Sequence, residues 1–537
     1  MERRWLEPLV LTGLLGLWMS VGGCSKRSAS AQAGKNSSVL RCAVRTNLVT
    51  LDPVQIQDFN TDNILKNVYG GLVELDENNQ PVEGIVRQWQ ISSDGRTYTF
   101  YIQKRAKFNN GHEVTASDVK WSLERASHAE LSGPDASGVL NDIVGFEKIA
   151  QHQSEELEGV KVIDKHTLEI KIKKPSANFL SKLSLPAAAI LSKDRVPFQR
   201  PILTVKEMVG VGPYIVKKMD SDQRIVLVPN PYYYKGRPSL SKIEILVIKS
   251  FLSALSMYKS GKLDIIYVPS KEVSTLINDY KLSENLYGHS GAYIYWLLLN
   301  AKVYSPFSDQ RVRQAFAMAI DRQSVVDCLF KEHMKVTQSI LPAGVLGHRK
   351  NPNGIQYDIL KARKLLAEAG YADASVLPPL YLPLVDRHSD RNAISENLVM
   401  QIRKAFPGIR VHLMPFVWDT YLEKLKNKEL PIRLGCWAAD YADPSNFLSD
   451  LFTSTSKINS IQFSNHKFDQ LCIKADALSN AAEREKLYQK AEDLLLQDGS
   501  VIPLFFPKEY YLVQSKVRYL KSNLMGLLPL RDVEVLP

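Results

Sequence analysis

The chain has 537 residues, of which 45% are apolar, and its 68 Lys and Arg against 57 Asp and Glu give a net charge of +11. At about 100–200 residues per domain, this length predicts about three domains or lobes. Charged residues make up 23% and aromatic residues 9%, which is ordinary globular usage and excludes wholesale disorder and fibrous repeats. No later segment approaches the roughly 18 apolar residues of a membrane span, so a polytopic membrane protein is excluded.

The first residues are typical of an export signal. Arg3 and Arg4 precede a short apolar stretch that ends at residues 21–24, Val-Gly-Gly-Cys. This end resembles the lipobox of bacterial lipoproteins, in which the cysteine, here Cys24, is diacylated and becomes the mature N-terminus. We therefore expect an exported protein that a lipid on Cys24 anchors to the cell membrane, facing the periplasm or the exterior. The alternative is an unlipidated signal with a cysteine there by chance.

Residues 24–38 are rich in Ser, Ala, Lys and Gly, which predicts a flexible tether, and folding should begin near Val39. After it, strand and helix signals alternate along the whole chain. The clearest strands are rich in β-branched and aromatic residues and lie at 97–102, 168–172, 225–228 and 243–248. The body is therefore predicted to be a mixed α/β protein.

Helix boundaries are also marked in the sequence. Thr115 with Asp118 predicts an N-cap, and apolar residues at helical spacing follow Asp309. Gly370 is expected to end a helix over 360–369. The last predicted helix begins after Asn480 and ends at Gly499.

Four cysteines besides Cys24 occur, and none has the CxxC spacing of a zinc or thioredoxin-like site. An exported protein can oxidise them, but they can equally be buried free thiols. These four are Cys42, Cys328, Cys436 and Cys472.

Enzyme motifs are missing. The chain has no GxSxG elbow, no phosphate loop, no GxGxxG and no HExxH, because Ala116 stands where the second histidine after His112 would be. We therefore expect no enzyme, no cofactor and no metal site. The basic excess can favour anionic ligands or membrane surfaces, but no basic block or basic–aromatic motif occurs, so we expect no nucleic-acid binding.

An ordered set of motifs covers nearly all of 39–537. Its members lie at 69–74, 89–92, 94–100, 108–119, 211–214, 230–233, 255–264, 306–315 and 437–444. Together they resemble extracellular solute-binding proteins of family 5, the oligopeptide- and dipeptide-binding receptors of ABC transporters. Most of these motifs are expected to be scaffold, because turns such as Asp94-Gly95 and Asn110-Gly111 connect strands.

The resemblance implies an α/β, two-lobed, periplasmic-binding-protein-like fold of class II with an extra subdomain in lobe I. The chain should leave lobe I and return to it. The expected segments are a signal peptide at 1–23, a lipidated tether at 24–38, lobe I at 39–288 with a subdomain at about 75–200, lobe II at 289–506, and a return to lobe I at 507–537.

The resemblance also implies the function. A monomeric receptor would capture short peptides in the cleft between its lobes, close by a hinge motion and deliver them to a separate ABC permease and ATPase. Such receptors pair with the peptide main chain, which gives affinity with little side-chain selectivity.

The resemblance implies that Asp440, in the run Trp-Ala-Ala-Asp-Tyr-Ala-Asp-Pro, is the partner of the peptide ammonium, since family members use an aspartate of this run. A buried ammonium needs such a counter-charge. The alternative is an Asp that caps the turn at Pro444, a role that Asp443 fits better. Trp437 would be a cleft aromatic that forms an apolar wall, or else an ordinary core tryptophan.

By the same matching, two strand edges would sandwich the peptide, one at Gln57, Asp58 and Phe59 and one at Cys436, Trp437 and Ala438. Relatives often carry an acidic residue where Gln57 stands here, and Asp58 lies beside it.

The resemblance implies that the peptide carboxylate binds at a loop that precedes a helix over 394–405, where some relatives place a basic residue. Arg387, His388 and Arg391 lie in it, and arginine suits a carboxylate. A solvated basic loop is the alternative.

Two competing functions remain open at this stage. Relatives with the same fold bind nickel complexes, haem, glutathione or cell-wall peptides. An exported enzyme or adhesin on a receptor scaffold is the third class, which the missing catalytic motifs disfavour.

Overall fold

The computed structural model describes residues 38–537 except 57, 129, 132–137, 221–223, 331–333 and 386–388, and it describes no side chain at 59, 328–330, 389 and 390. The predicted signal peptide, Cys24 and nearly all of the tether therefore lie outside the described residues. Three sheets organise the described chain: sheet 1 has seven strands, sheets 2 and 3 have four strands each, and sheet 3 packs with sheet 1.

Sheet 1 has seven strands, and its central strand Val39–Val44 pairs in parallel with both neighbours while the other pairs are antiparallel. In spatial order its strands are Leu286–Ser290, Lys508–Val513, Ile265–Val268, Val39–Val44, Lys242–Val247, Arg224–Pro229 and Tyr214–Asp220.

Sheet 2 is antiparallel, with the order Lys335–Val336, Val501–Phe506, Tyr293–Leu299 and Ile432–Ala438. Sheet 3 is antiparallel too, with the order Val86–Ile91, Thr97–Ile102, Thr167–Lys171 and Val160–Asp164. Four two-stranded pairs complete the set: Leu380–Val385 with Val411–Phe416, Val73–Leu75 with Pro81–Glu83, Val517–Arg518 with Glu534–Val535, and Ser522–Asn523 with Gly526–Leu527.

Helices cover the sheets. In the described part they are Phe59–Leu65, Ala116–Ser127, Phe146–Ala150, Phe179–Lys182, Phe251–Lys259, Ser270–Ile277, Tyr280–Ser283, Gln310–Met318, Arg322–Phe330, Ile359–Glu368, Ser389–Ala405, Trp418–Lys426, Ser449–Phe452, His466–Ala477 and Ala481–Asp498. None of the described helices is long and apolar enough to span a bilayer.

The predicted helix caps are confirmed. Thr115 and Asp118 form a reciprocal capping box in front of Ala116–Ser127. Asp309 caps the helix Gln310–Met318, and Asn480 caps the last helix by accepting from the N–H of Glu483. Gly499 ends that helix at φ 81°, a left-handed conformation that favours glycine.

Separate hydrophobic cores support sheet 1 and sheet 2, so each of these two sheets is the centre of one lobe. One core joins sheet 1 to sheet 3, and others surround sheet 2. The chain passes from sheet 1 to sheet 2 between Ser290 and Tyr293 and returns through Pro507. Two adjacent crossings between otherwise separate cores are the arrangement that a hinge requires.

The described cysteines are free thiols. Cys42, Cys436 and Cys472 have no disulfide partner, while the side chain of Cys328 lies outside the described residues. Burial raises the pKa of the Cys42 and Cys472 thiols, so both stay protonated and unreactive at neutral pH.

Candidate functional site

A cavity of about 750 Å³ lies between sheet 1 and sheet 2. Its lining includes His289 and Glu509 from sheet 1, Trp437 and Ala438 from sheet 2, and Pro507 from one of the crossings. A movement of the two lobes about the crossings would therefore change the size of this cavity.

The strand Ile432–Ala438 is the edge strand of sheet 2, paired with Tyr293–Leu299 on one side. Ala439 donates its N–H to Ala292 O across this pair at 2.8 Å. Because backbone groups in an antiparallel pair alternate in direction, the N–H and C=O groups of Cys436 and Ala438 point away from the partner strand.

Two contacts confirm this alternation. Leu434 O, which is in phase with Cys436, accepts from Arg391 Nη2 at 3.1 Å, and the Asp440 N–H donates to Asn446 Oδ1 at 2.9 Å. The Cys436 and Ala438 edge is thus oriented to pair with an added extended chain.

Asp440 follows this edge directly, and it lines the cavity together with Trp437. Asn446 holds both residues, since its side chain accepts from Trp437 Nε1 at 3.0 Å and donates to Asp440 Oδ2 at 3.2 Å. Asn446 itself is only 2% exposed. Asp440 and Trp437 therefore have fixed orientations at the cavity wall, and the sequence analysis did not identify Asn446 as their support.

Asp443, and not Asp440, caps the turn at Pro444. Its side chain accepts from the N–H of Ser445 at the start of the turn at Pro444. It also forms a two-pronged ion pair with Arg484, with both N–O distances at 2.9 Å, and Arg484 is 6% exposed. This turn fixes the chain just after Asp440, so the turn-capping role belongs to Asp443.

The prediction of a strand edge at 57–59 is wrong for the two residues that can be assessed. Asp58 caps a helix that begins at Phe59, accepting from the N–H of Thr61 at 2.9 Å. A Thr and an Asn lie in the first turn of this helix. Asp is a preferred N-cap residue, but this role of Asp58 was not recognised from the sequence. Gln57 lies outside the described residues, and so does the side chain of Phe59.

Asp58 nonetheless lines the cavity. Its second oxygen, Oδ2, is buried and has no hydrogen-bond partner among the described residues. A buried carboxylate oxygen without a partner is costly, so this atom is a candidate for contact with a ligand donor.

The side chain of Cys436 is on the opposite strand face from Trp437 and does not belong to the cavity lining. Arg391, expected in a loop, lies inside the helix Ser389–Ala405 and binds Leu434 O. It lines a small separate pocket with Leu434 and Tyr421. Arg387 and His388 lie outside the described residues, so the predicted carboxylate site stays a prediction.

His289 and Glu509 were missed by the sequence analysis. They are directly opposite each other on neighbouring strands of sheet 1, beside the two crossings. His289 is 7% exposed, and its Nε2 is buried without a partner in the described part of the chain. Burial lowers the pKa of His289, and the positive charge of nearby Lys66 lowers it further. Burial raises the pKa of Glu509 to about 7, although the charge of Lys66 opposes this increase.

The cavity is acidic although the whole chain is basic. The carboxylates that line it are Asp58, Asp62, Glu74, Asp76, Glu77, Asp440, Glu509 and Asp532. The lysines and arginines in its described lining are Lys66, Lys521 and Arg531. A net charge of +11 is therefore a poor guide to the ligand, and the cavity favours a cationic group over an anionic one.

The comparisons with known proteins agree with this architecture. The profile of the family described as "Bacterial extracellular solute-binding proteins, family 5 Middle" matches residues 80–459. The chain is 26% identical to heme-binding protein A of Haemophilus influenzae over 494 residues, 89% of each chain. It is 26% identical over 548 residues to the periplasmic oligopeptide-binding protein OppA of Salmonella typhimurium, covering 98% of this chain and 97% of the relative.

Among solved structures, a periplasmic oligopeptide-binding protein of Borrelia burgdorferi superposes with a TM-score of 0.79 at 26% identity, covering 93% of this chain and all of that one. The predicted two-lobed α/β binding-protein fold is thereby confirmed. Since the family profile matches well over half of the residues, the chain belongs to the bacterial extracellular solute-binding proteins of family 5.

Proposed function

We propose that this chain is the substrate-binding receptor of a peptide ABC importer, which captures short peptides between its lobes and delivers them to the permease. The observation that carries the proposal is the outward-facing edge at Cys436 and Ala438, which is followed directly by the carboxylate of Asp440 in an acidic interlobe cavity. This arrangement offers main-chain pairing and an ammonium partner side by side.

In the proposed complex, the peptide adds a strand to sheet 2 along Cys436 and Ala438. The free ammonium meets Asp440, and Asp58 Oδ2 supplies a second carboxylate oxygen from the opposite wall. The Trp437 ring gives an apolar surface for side chains. Because the pairing uses groups that every peptide has, peptides of many sequences should bind.

Haem is the competing ligand, because heme-binding protein A is among the relatives and the cavity contains His289, whose buried Nε2 has no hydrogen-bond partner in the described part of the chain. A porphyrin with two propionates would carry negative charge into a cavity whose charged lining residues are mainly carboxylates, which is unfavourable. The charge of the lining therefore supports the peptide over the porphyrin.

Mass spectrometry of the ligands that remain on the purified protein separates these functions. We expect short peptides of mixed sequence. If a tetrapyrrole, recognised by its visible absorbance, or a metal complex were found instead, the peptide proposal would be rejected. Turnover of an added substrate would point to an enzyme.

We also propose that the chain is exported and anchored through a lipid on Cys24 and that it acts as a monomer. The support for the anchor is the sequence at 21–24, which lies outside the described residues, together with the extracellular character of the family. The wild-type chain should fractionate with membranes, while Cys24→Ala should be released in soluble form. Equal fractionation of both would contradict the anchor.

A further inference from the structure

Three metal-ligating side chains meet far from the interlobe cavity. His128 directly follows the helix Ala116–Ser127, Glu130 comes two residues later, and His152 lies just beyond the helix Phe146–Ala150. One ligand atom from each lies within 4.8 Å of the other two. Their spacing in the sequence indicates no metal site, because these residues become neighbours only when the two helix ends meet.

The distances suit a small tetrahedral ion. His152 Nε2 and Glu130 Oε1 are 3.5 Å apart. With metal–ligand bonds of about 2.0–2.1 Å, neighbouring ligand atoms of a tetrahedral site are about 3.4 Å apart. Small side-chain rotations would therefore bring all three atoms to coordination distance, and the exposed side chains of Glu130 and His152 are free to make them.

His128 provides the observation that points to a ligand. Its Nε2 is buried and has no hydrogen-bond partner among the residues that the structure describes. The ring packs edge-on against Phe198, with centroids 4.9 Å apart, and this contact orients it.

The surrounding charges favour a cation, since the Glu130 carboxylate lies beside His152 and within reach of His128. Calcium and magnesium prefer sites made only of oxygen atoms, whereas two imidazoles and a carboxylate suit zinc.

We propose that His128, Glu130 and His152 bind one Zn²⁺ ion, which ties the end of the helix Ala116–Ser127 to the end of Phe146–Ala150. None of the three lines the interlobe cavity. The ion would therefore stabilise the part of the molecule around sheet 3 without taking part in ligand capture.

The test is a zinc titration of the full-length mature chain, freed of metal with EDTA, in competition with a chromogenic chelator. His152→Gln is the test variant, since His152 is exposed and its loss should not harm folding, and His466→Gln on an exposed helix is the matched control. Wild type and His466→Gln should bind one zinc ion at this site, and His152→Gln and Glu130→Gln should each weaken it at least about tenfold.

Thermal unfolding gives a second readout. Zinc should raise the melting temperature of wild type and His466→Gln by mass action, but not that of His152→Gln. The proposal is overturned if no zinc binds to the wild type, or if His152→Gln and His466→Gln have the same zinc affinity and the same thermal shift.

Discussion

Glu509 provides a sharp test of the electrostatics beside the crossings. Its carboxylate belongs to a half-buried residue opposite His289, and its only described hydrogen bond comes from Tyr511 Oη at 3.3 Å. Burial raises the pKa of Glu509 from 4.5 to about 7, against the opposing effects of Tyr511 and Lys66. The substitution Glu509→Gln keeps the size and the hydrogen bond but removes the charge.

The sign of the effect follows from proton linkage. The folded protein holds this proton more tightly than the unfolded chain does, so the stabilisation from protonation is fully present below about pH 4.5 and is lost as the pH rises through about 7. The difference between the two pKa values corresponds to about 3 kcal/mol. We therefore expect the free energy of unfolding of Glu509→Gln to exceed that of wild type by only about 1 kcal/mol near pH 5 and by about 3 kcal/mol near pH 8.5.

Urea unfolding of the ligand-free protein, followed by tryptophan fluorescence and circular dichroism from pH 5 to 8.5, measures this difference. His289 is present in both proteins, so its own titration affects them alike. The exposed Glu284→Gln is the matched control and should show no such pH-dependent gain. If the difference in the free energy of unfolding between Glu509→Gln and wild type did not change with pH across this range, the reasoning would be refuted.

Two further substitutions test the scaffold of the site by urea unfolding. Asp443→Ala leaves the buried guanidinium of Arg484 without its two-pronged partner and should cost about 3–5 kcal/mol. A loss below about 1 kcal/mol would mean that the pair behaves like an exposed one. Gly212→Ala would bring a Cβ within 2.5 Å of the Val68 carbonyl carbon and should cost about 3 kcal/mol or more. Gly236→Ala, at φ 97° with no atom within 4 Å of the added Cβ, should cost only about 1 kcal/mol, and equal losses would contradict the packing argument.

Local signals in the sequence predicted the local structure well. The capping pattern at Thr115 and the stop at Gly499 depend on residues a few positions apart, and the structure contains both. The family resemblance pointed to Asp440 and Trp437 in one short motif, and both line the cavity, while their contact with a ligand stays a prediction.

What the sequence did not show depends on distant segments that fold together. His289 and Glu509 become neighbours only through the pairing of their strands in sheet 1. The acidic lining collects side chains from both ends of the chain, so the total charge gave no sign of it. The error at Asp58 was of another kind, because family matching was preferred there to the helix-capping chemistry of the residue itself.

The most direct test of the proposed function is calorimetric binding of a free tetrapeptide and its N-acetylated form to wild type and Asp440→Asn. The substitution should fold, because an asparagine oxygen can still accept from Asn446 Nδ2. Asp532→Asn, an exposed carboxylate in the cavity lining, is the control. We predict that Asp440→Asn weakens the binding of the free peptide by about 2–5 kcal/mol and the binding of the acetylated peptide far less. If Asp440→Asn weakened the binding of both peptides equally, or if its loss of affinity for the free peptide were no larger than that of Asp532→Asn, recognition of the ammonium group by Asp440 would be contradicted.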